Sequence, residues 1–98
     1  MKVITICGSL KYQNIMMEEA QKLTMEGNCV LTPTYPVIKD YKISQEEMNN
    51  LKESHLKRIE LSDAIYVLNV DNYIGESTSI EIDYASSLNK EIIYYTDK

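Results

Sequence analysis

The chain has no tryptophan and no phenylalanine, and its 98 residues include only three glycines, two prolines and two cysteines. Each shortage excludes something. Cys7 and Cys29 show no C-x-x-C spacing, so the sequence carries no readable metal or redox motif, and no metal or other cofactor is expected. Both fall in apolar runs that read as strands. An unpaired cysteine there behaves as a small buried hydrophobe, and two such thiols fit the reducing cytoplasm. Basic residues are few, ten Lys and Arg against fifteen Asp and Glu, for a net charge of −5. No cluster of cations breaks that balance, which argues against binding long nucleic acid by phosphate neutralisation. A single nucleotide remains possible, because the N–H groups at one helix N-terminus can hold one phosphate. Long apolar runs are also missing. The first is only Val3–Cys7, too short for a signal peptide, and nothing approaches a membrane span. There are no internal repeats and no low-complexity segments. The aromatic residues are all tyrosine, eight of them, each offering a stacking face and a hydroxyl.

What remains is enough for one small domain over residues 1–98. The stretch Ala64–Ala85 organises it. Ala64–Val70 is an apolar, β-branched run that reads as a strand buried on both faces. A polar loop, Asp71–Glu76, follows with its one glycine at Gly75. Ser77 or Thr78 can then cap a helix that continues through Ile80, Tyr84 and Leu88, the spacing of one buried helical face.

The same alternation runs along the whole chain. Lys2–Cys7 is a first strand ending at Gly8-Ser9, and Asn14–Glu26 a helix with Ile15, Met16, Ala20, Leu23 and Met25 as its stripe, closed by Gly27-Asn28. Cys29–Thr32 is a second strand. Pro33–Ile43 is a loop, read either as a lid over a base or sugar or as a packed connection. Ser44-x-x-Glu47 is a capping box that opens a helix to about Leu61, with Met48, Leu51, His55 and Ile59 on one face. Glu53, Lys57, Arg58 and Glu60 read as its solvated face. Glu91–Thr96 is the last strand. The order β-α-β-α-β-α-β predicts an α/β fold: a small Rossmann-like or flavodoxin-like three-layer sandwich, with a parallel sheet of four to five strands in the order 2-1-3-4. Open sheet edges on so small a unit point to a homodimer or higher homo-oligomer.

In that order the switch point lies between the first and third strands. Gly8-Ser9 and the Asp71–Glu81 segment then flank one crevice at the carboxyl ends of the strands, where such sheets bind ligands. Gly8 permits a positive φ or close approach of a ligand to the backbone. Ser9 can donate to a phosphate or ribose oxygen. Glu81 falls in the first turn of its helix, where the dipole helps keep a carboxylate ionised. It is the leading candidate for a nucleophile, since a carboxylate can attack an anomeric carbon as a base departs.

Cys7-Gly8-Ser9 and the ending Glu81-Ile-Asp-Tyr-Ala85 resemble the nucleoside 2-deoxyribosyltransferase superfamily, which includes deoxynucleoside 5′-monophosphate N-glycosidases. The resemblance spans nearly the whole chain, including Leu61-Ser-Asp-Ala64 before the central strand. Tyr73–Thr78, Y-I-G-E-S-T, is also similar to a G-Y-I-G-E-S-T pattern of short bacterial and phage proteins. The resemblance implies cleavage or transfer at the N-glycosidic bond of a nucleoside or nucleotide, a small-molecule partner, with Glu81 as nucleophile. It implies that Gly8 and Ser9 contact substrate, and that Gly75, Ser77 and Thr78 surround sugar and phosphate. Tyr12, Tyr35 or Tyr73 stacks on the base. Where the family carries an Asp eight residues before the Asp of the A-D turn, this chain has His55. Either His55 or Asp71 positions the sugar or assists proton transfer. Ser77 and Ser79 replace small glycines before the Glu, and the family's C-terminal extension into a neighbouring subunit is missing, which favours hydrolysis over transfer. Two rival readings stand beside this one: a phosphoribohydrolase-like nucleotide enzyme, matching Thr78-x-x-Glu81, and a nucleotide-binding sensor without catalysis.

Overall fold

The structure is a computed structural model that describes residues 1–97. Among these, four strands alternate with three α-helices: β1 (Val3–Cys7), α1 (Gln13–Met25), β2 (Cys29–Leu31), α2 (Gln45–Leu61), β3 (Ala64–Val67), α3 (Glu76–Ser87) and β4 (Glu91–Tyr94). Short 3₁₀ turns sit at Leu10–Tyr12, Val70–Asn72 and Tyr95–Asp97. The strands form one parallel sheet in the order β2-β1-β3-β4. None of the described helices is long and apolar enough to cross a membrane.

Side chains alternate across the sheet with period two, and that alternation makes the layers. Ile4, Ile6, Ala64, Tyr66 and Leu68 point to one face, where Met16 and Leu23 of α1 complete a buried cluster. Cys7, Ile65 and Val67 point to the other, against Ile59 of α2 and Ala85 of α3. Both central strands are covered on both faces, which is why their sequences are apolar runs and not alternating ones.

The helix ends follow local chemistry. Ser44 accepts from the Glu47 N–H at 3.1 Å while Glu47 accepts from the Ser44 N–H at 3.0 Å, so the capping box is formed. Tyr41 donates to the same Glu47 carboxylate, tying the preceding loop to the cap. Gly27, with φ of 102°, closes α1 in the left-handed region that glycine tolerates. At the start of the sheet, the Asp63 N–H donates to Val3 O and the Asp63 carboxylate accepts from the Val3 N–H, both at 2.8 Å.

Three sequence expectations change. The run after Ala64 leaves the sheet at Val67 and folds into the Val70–Asn72 turn, where Asp71 and Asn72 take positive φ. The buried face of α3 is not Ile80, Tyr84 and Leu88. Thr78 and Ala85 are its buried residues and Ile82 packs beside them, while Ile80 is 57% exposed. The small Ala85 lets the helix lie close to β3. Cys29 is exposed, because β2 is an edge strand, whereas Cys7 is fully buried.

Candidate functional site

A cavity of about 440 Å³ opens at the carboxyl ends of β1 and β3, within roughly the 300–1,000 Å³ usual for small-ligand pockets. Gly8 and Ser9 form one wall and Gly75–Thr78 with Glu81 the other. Lys52, His55 and Arg58 of α2 close the third side. The structure therefore brings together Gly8, Ser9, His55, Gly75, Ser77, Thr78 and Glu81. It does not bring Asp71 or Tyr12 to the cavity. Asp71 lies exposed in its left-handed turn. Tyr12 packs on the α1 side of the sheet and meets Tyr73 edge to face, with centroids 6.4 Å apart. Of the three tyrosines named as stacking candidates, only Tyr73 lines this cavity; Tyr35 lines an adjacent one.

Gly8 is explained first by packing. A Cβ there would meet Leu68 Cβ at 3.0 Å and Leu68 O at 3.4 Å, and its φ is not positive. Helix α3 begins two to three residues earlier than a cap at Ser77 or Thr78 would give, with Gly75 as N-cap and no side-chain cap. Ser77 and Thr78 lie inside the first turn. The first N–H groups of a helix have no carbonyl four residues behind them, and a glycine cap brings no side-chain oxygen to them. Glu81 accordingly sits in the second turn, where the dipole has largely faded.

On the cavity floor, Glu81 Oε1 is 3.5 Å from His55 Nε2, and Cys7 Sγ is 3.6 Å from the same nitrogen. Cys7 reaches this place because it shares the sheet face of Ile65 and Val67. Burial dominates the electrostatics. It pushes the Glu81 carboxyl up to about 7, a rise that a hydrogen bond from Cys7 only partly offsets. Burial, then the nearby Arg58 charge, drives His55 down to about 4. The Cys7 thiol is pushed up by burial and by the adjacent carboxylate. Between about pH 4 and 7 the cluster is therefore uncharged, and the His55–Glu81 contact is a polar contact between neutral groups, not an ion pair.

The donor atoms of Cys7, His55 and Glu81 all lie within 4.8 Å of one another, a spacing compatible with a transition metal. Their surroundings oppose it. A metal on Nε2 requires Nδ1 to carry the ring proton and donate it outward. Here Nδ1 faces Arg58 Nη1 at 3.4 Å, and a guanidinium only donates.

Three of these residues show no site role in the sequence. Cys7 reads as core, and Lys52 stands out in no motif. Arg58 reads as solvated, yet it binds Thr34 Oγ1 at 3.0 Å and lines the cavity. The available signal was spacing: 52, 55 and 58 lie three apart and share a helical face.

In fold, the chain is similar to the 2-deoxyribosyltransferase of Bacillus psychrosaccharolyticus, described as a biocatalyst for the synthesis of nucleosides. The TM-score is 0.73 over 94% of this chain and 70% of that one, at 17% identity. No protein-family model matches the sequence, and no curated protein matches it.

The raised Glu81 carboxyl has a consequence for stability. A group whose folded pKa lies above its unfolded one stabilises the fold below the unfolded value, and that contribution is lost as pH rises through the folded value. With a shift from 4.5 to about 7, Glu81→Gln should be more stable than the native chain at pH 8, by about 1–3 kcal/mol. The difference should vanish below about pH 4.5. Urea denaturation at both pH values checks it.

Proposed function

We propose that this chain cleaves the N-glycosidic bond of a nucleoside or nucleoside 5′-monophosphate, with Glu81 as nucleophile and water or a second base as the acceptor of the sugar. One observation carries the reading: a carboxyl group on the floor of a ligand-sized cavity, in contact with His55 and Cys7, beside an uncapped helix N-terminus. The similarity in fold to a 2-deoxyribosyltransferase supports it, as do the Cys7-Gly8-Ser9 and Glu81–Ala85 motifs. The Tyr73–Thr78 segment supports a place in that superfamily, and the two unpaired cysteines support work in the reducing cytoplasm.

The chemistry divides in two. An ionised Glu81 oxygen bonds to C1′ as the C1′–N bond breaks, and the electron pair leaves on the base nitrogen, which takes a proton from solvent. Water then displaces the carboxylate from C1′ and gives its surplus proton to solvent. Ser9, Ser77 and Thr78 line the cavity, and in this reading they hold sugar hydroxyls or a 5′-phosphate at the N-terminus of α3. Arg58 and Lys52 add positive charge on the opposite wall. Tyr73, the one of the three candidate tyrosines that lines the cavity, is assigned to stack on the base.

The test is base release from a panel of nucleosides, deoxynucleosides and their 5′-monophosphates, followed by chromatography. Release should rise as pH passes through about 7, since the attacking carboxylate must be ionised. Glu81→Gln should release nothing while still binding ligand. Addition of a second base separates transfer from hydrolysis. Full activity in Glu81→Gln removes the mechanism, and nucleotide binding with no release by the native chain favours a non-catalytic sensor, a reading the mostly protonated carboxyl below neutrality also supports.

The chain is further proposed to form a homodimer. The sheet ends in two open edges, β2 and β4, and Val37, Ile38, Tyr41 and Ile43 are exposed in the loop beside the cavity. Light scattering should give twice the monomer mass at micromolar concentration; a monomer mass contradicts the proposal.

A further inference from the structure

Arg58 is the residue of the site whose geometry carries a consequence beyond ligand binding. Its guanidinium is held at both ends. Nη2 donates to Thr34 Oγ1 at 3.0 Å, and Nη1 lies 3.4 Å from His55 Nδ1. Its own carbonyl accepts from the hydroxyls of Thr5 and Ser62, at 3.1 and 2.7 Å, which ties the last turn of α2 to β1. A guanidinium has five N–H donors, no acceptor, and no accessible neutral form in a protein. The nitrogen it faces must therefore present a lone pair. A neutral imidazole with a bare Nδ1 carries its proton on Nε2.

We infer that Arg58 is a positioning residue that fixes His55 as the Nε2–H tautomer, so that the imidazole serves Glu81 as a neutral hydrogen-bond donor and not as a base. On the Nε2 side the ring meets Glu81 Oε1 at 3.5 Å and Cys7 Sγ at 3.6 Å. The Glu81 carboxyl group is the acceptor on that side, through its carbonyl oxygen when protonated and through either oxygen when ionised. The groups facing the ring are Cys7 from β1, Glu81 from α3, and Arg58 from its own helix, with Lys52 on the same cavity wall. The positive charge beside Nδ1 also opposes a second proton on the ring, in line with the lowered pKa of His55. Two donors, the thiol of Cys7 and Nε2–H of His55, then converge on one carboxyl group. Their joint effect is to aim the Glu81 oxygens and to stabilise the ionised form that burial disfavours. His55 takes no proton from water or sugar in this arrangement.

The chain has one histidine, so ¹⁵N-histidine labelling reports a single ring. In the native protein the spectrum should show a protonated Nε2 and a bare Nδ1, with no titration between about pH 5 and 8. In Arg58→Met the two tautomers should mix, and the ring should titrate at higher pH than in the native chain while burial still holds it below the free value. Arg58→Lys, which keeps the charge and one donor, should fall between them. A native spectrum with the proton on Nδ1 overturns the inference outright, whether or not any variant folds. So does an unchanged spectrum in a folded Arg58→Met protein. The effect on turnover rests on the N-glycosidase reading, whereas the tautomer does not. If base release is observed, Arg58→Met should lower kcat by roughly tenfold, the order of one lost hydrogen bond, with partial rescue in Arg58→Lys. Absence of base release by the native chain would sink the catalytic reading and leave the spectroscopic result to decide the tautomer.

Discussion

The pairing of β1 with β3 is the constraint on which the site depends. Its register runs from Ile4 opposite Ala64 to Cys7 opposite Val67, and the two Asp63–Val3 hydrogen bonds pin it at one end. At the other, the Leu68 N–H donates to Cys7 O at 2.8 Å, and Leu68 packs so close to Gly8 that an added Cβ would lie 3.0 Å from the Leu68 Cβ. Because side chains alternate, a slip of one residue would turn Cys7 to the α1 face and bring Ile6 under α2 and α3. The same register fixes where the chain leaves β1 and β3 at the switch point, and so where Ser9 and the start of α3 stand. Everything chemical in the molecule is arranged around that edge.

The environment built there is dry around the acid. A carboxyl under helices and strands is expensive to ionise, and neither the helix dipole nor the Cys7 hydrogen bond fully restores it. The result is a group poised near neutrality, close to working pH, where general acids, bases and weak nucleophiles gain most from tuning. His55 lies at the opposite extreme, neutral throughout the physiological range. Two titratable neighbours pushed in opposite directions by one environment is the pattern expected where environment assigns roles. Here it gives the role of charge carrier to Glu81 and the role of donor to His55.

Much of this was legible in the sequence. Apolar strands alternating with helices predict a parallel sheet, and right-handed crossovers with helices on both faces, as the fully apolar strands require, lead to the order 2-1-3-4. Ser44 and Glu47 mark a helix start by a local reciprocal bond that needs no tertiary context. Counting back from Asp63 reaches His55. What escaped was whatever depends on neighbours far away in the chain. Thr78 is buried and Ile80 exposed on α3 because the helix rotates to set Ala85 against the sheet, and polarity alone does not reveal that rotation. Arg58 looks solvated on its helix, and only the loop carrying Thr34 turns it inward. Cys7 looks like core until α3 places a carboxylate beside it.

The most direct measurement is the mass of the peptide that contains Glu81 after incubation with a 2′-fluoro nucleotide, whose fluorine slows release of the sugar. A mass increment equal to the sugar or sugar phosphate, located on Glu81 and absent from Glu81→Gln, is the predicted result. Steady base release with no adduct, or an adduct on another residue, would contradict a Glu81 nucleophile and with it the chemical role assigned to this site.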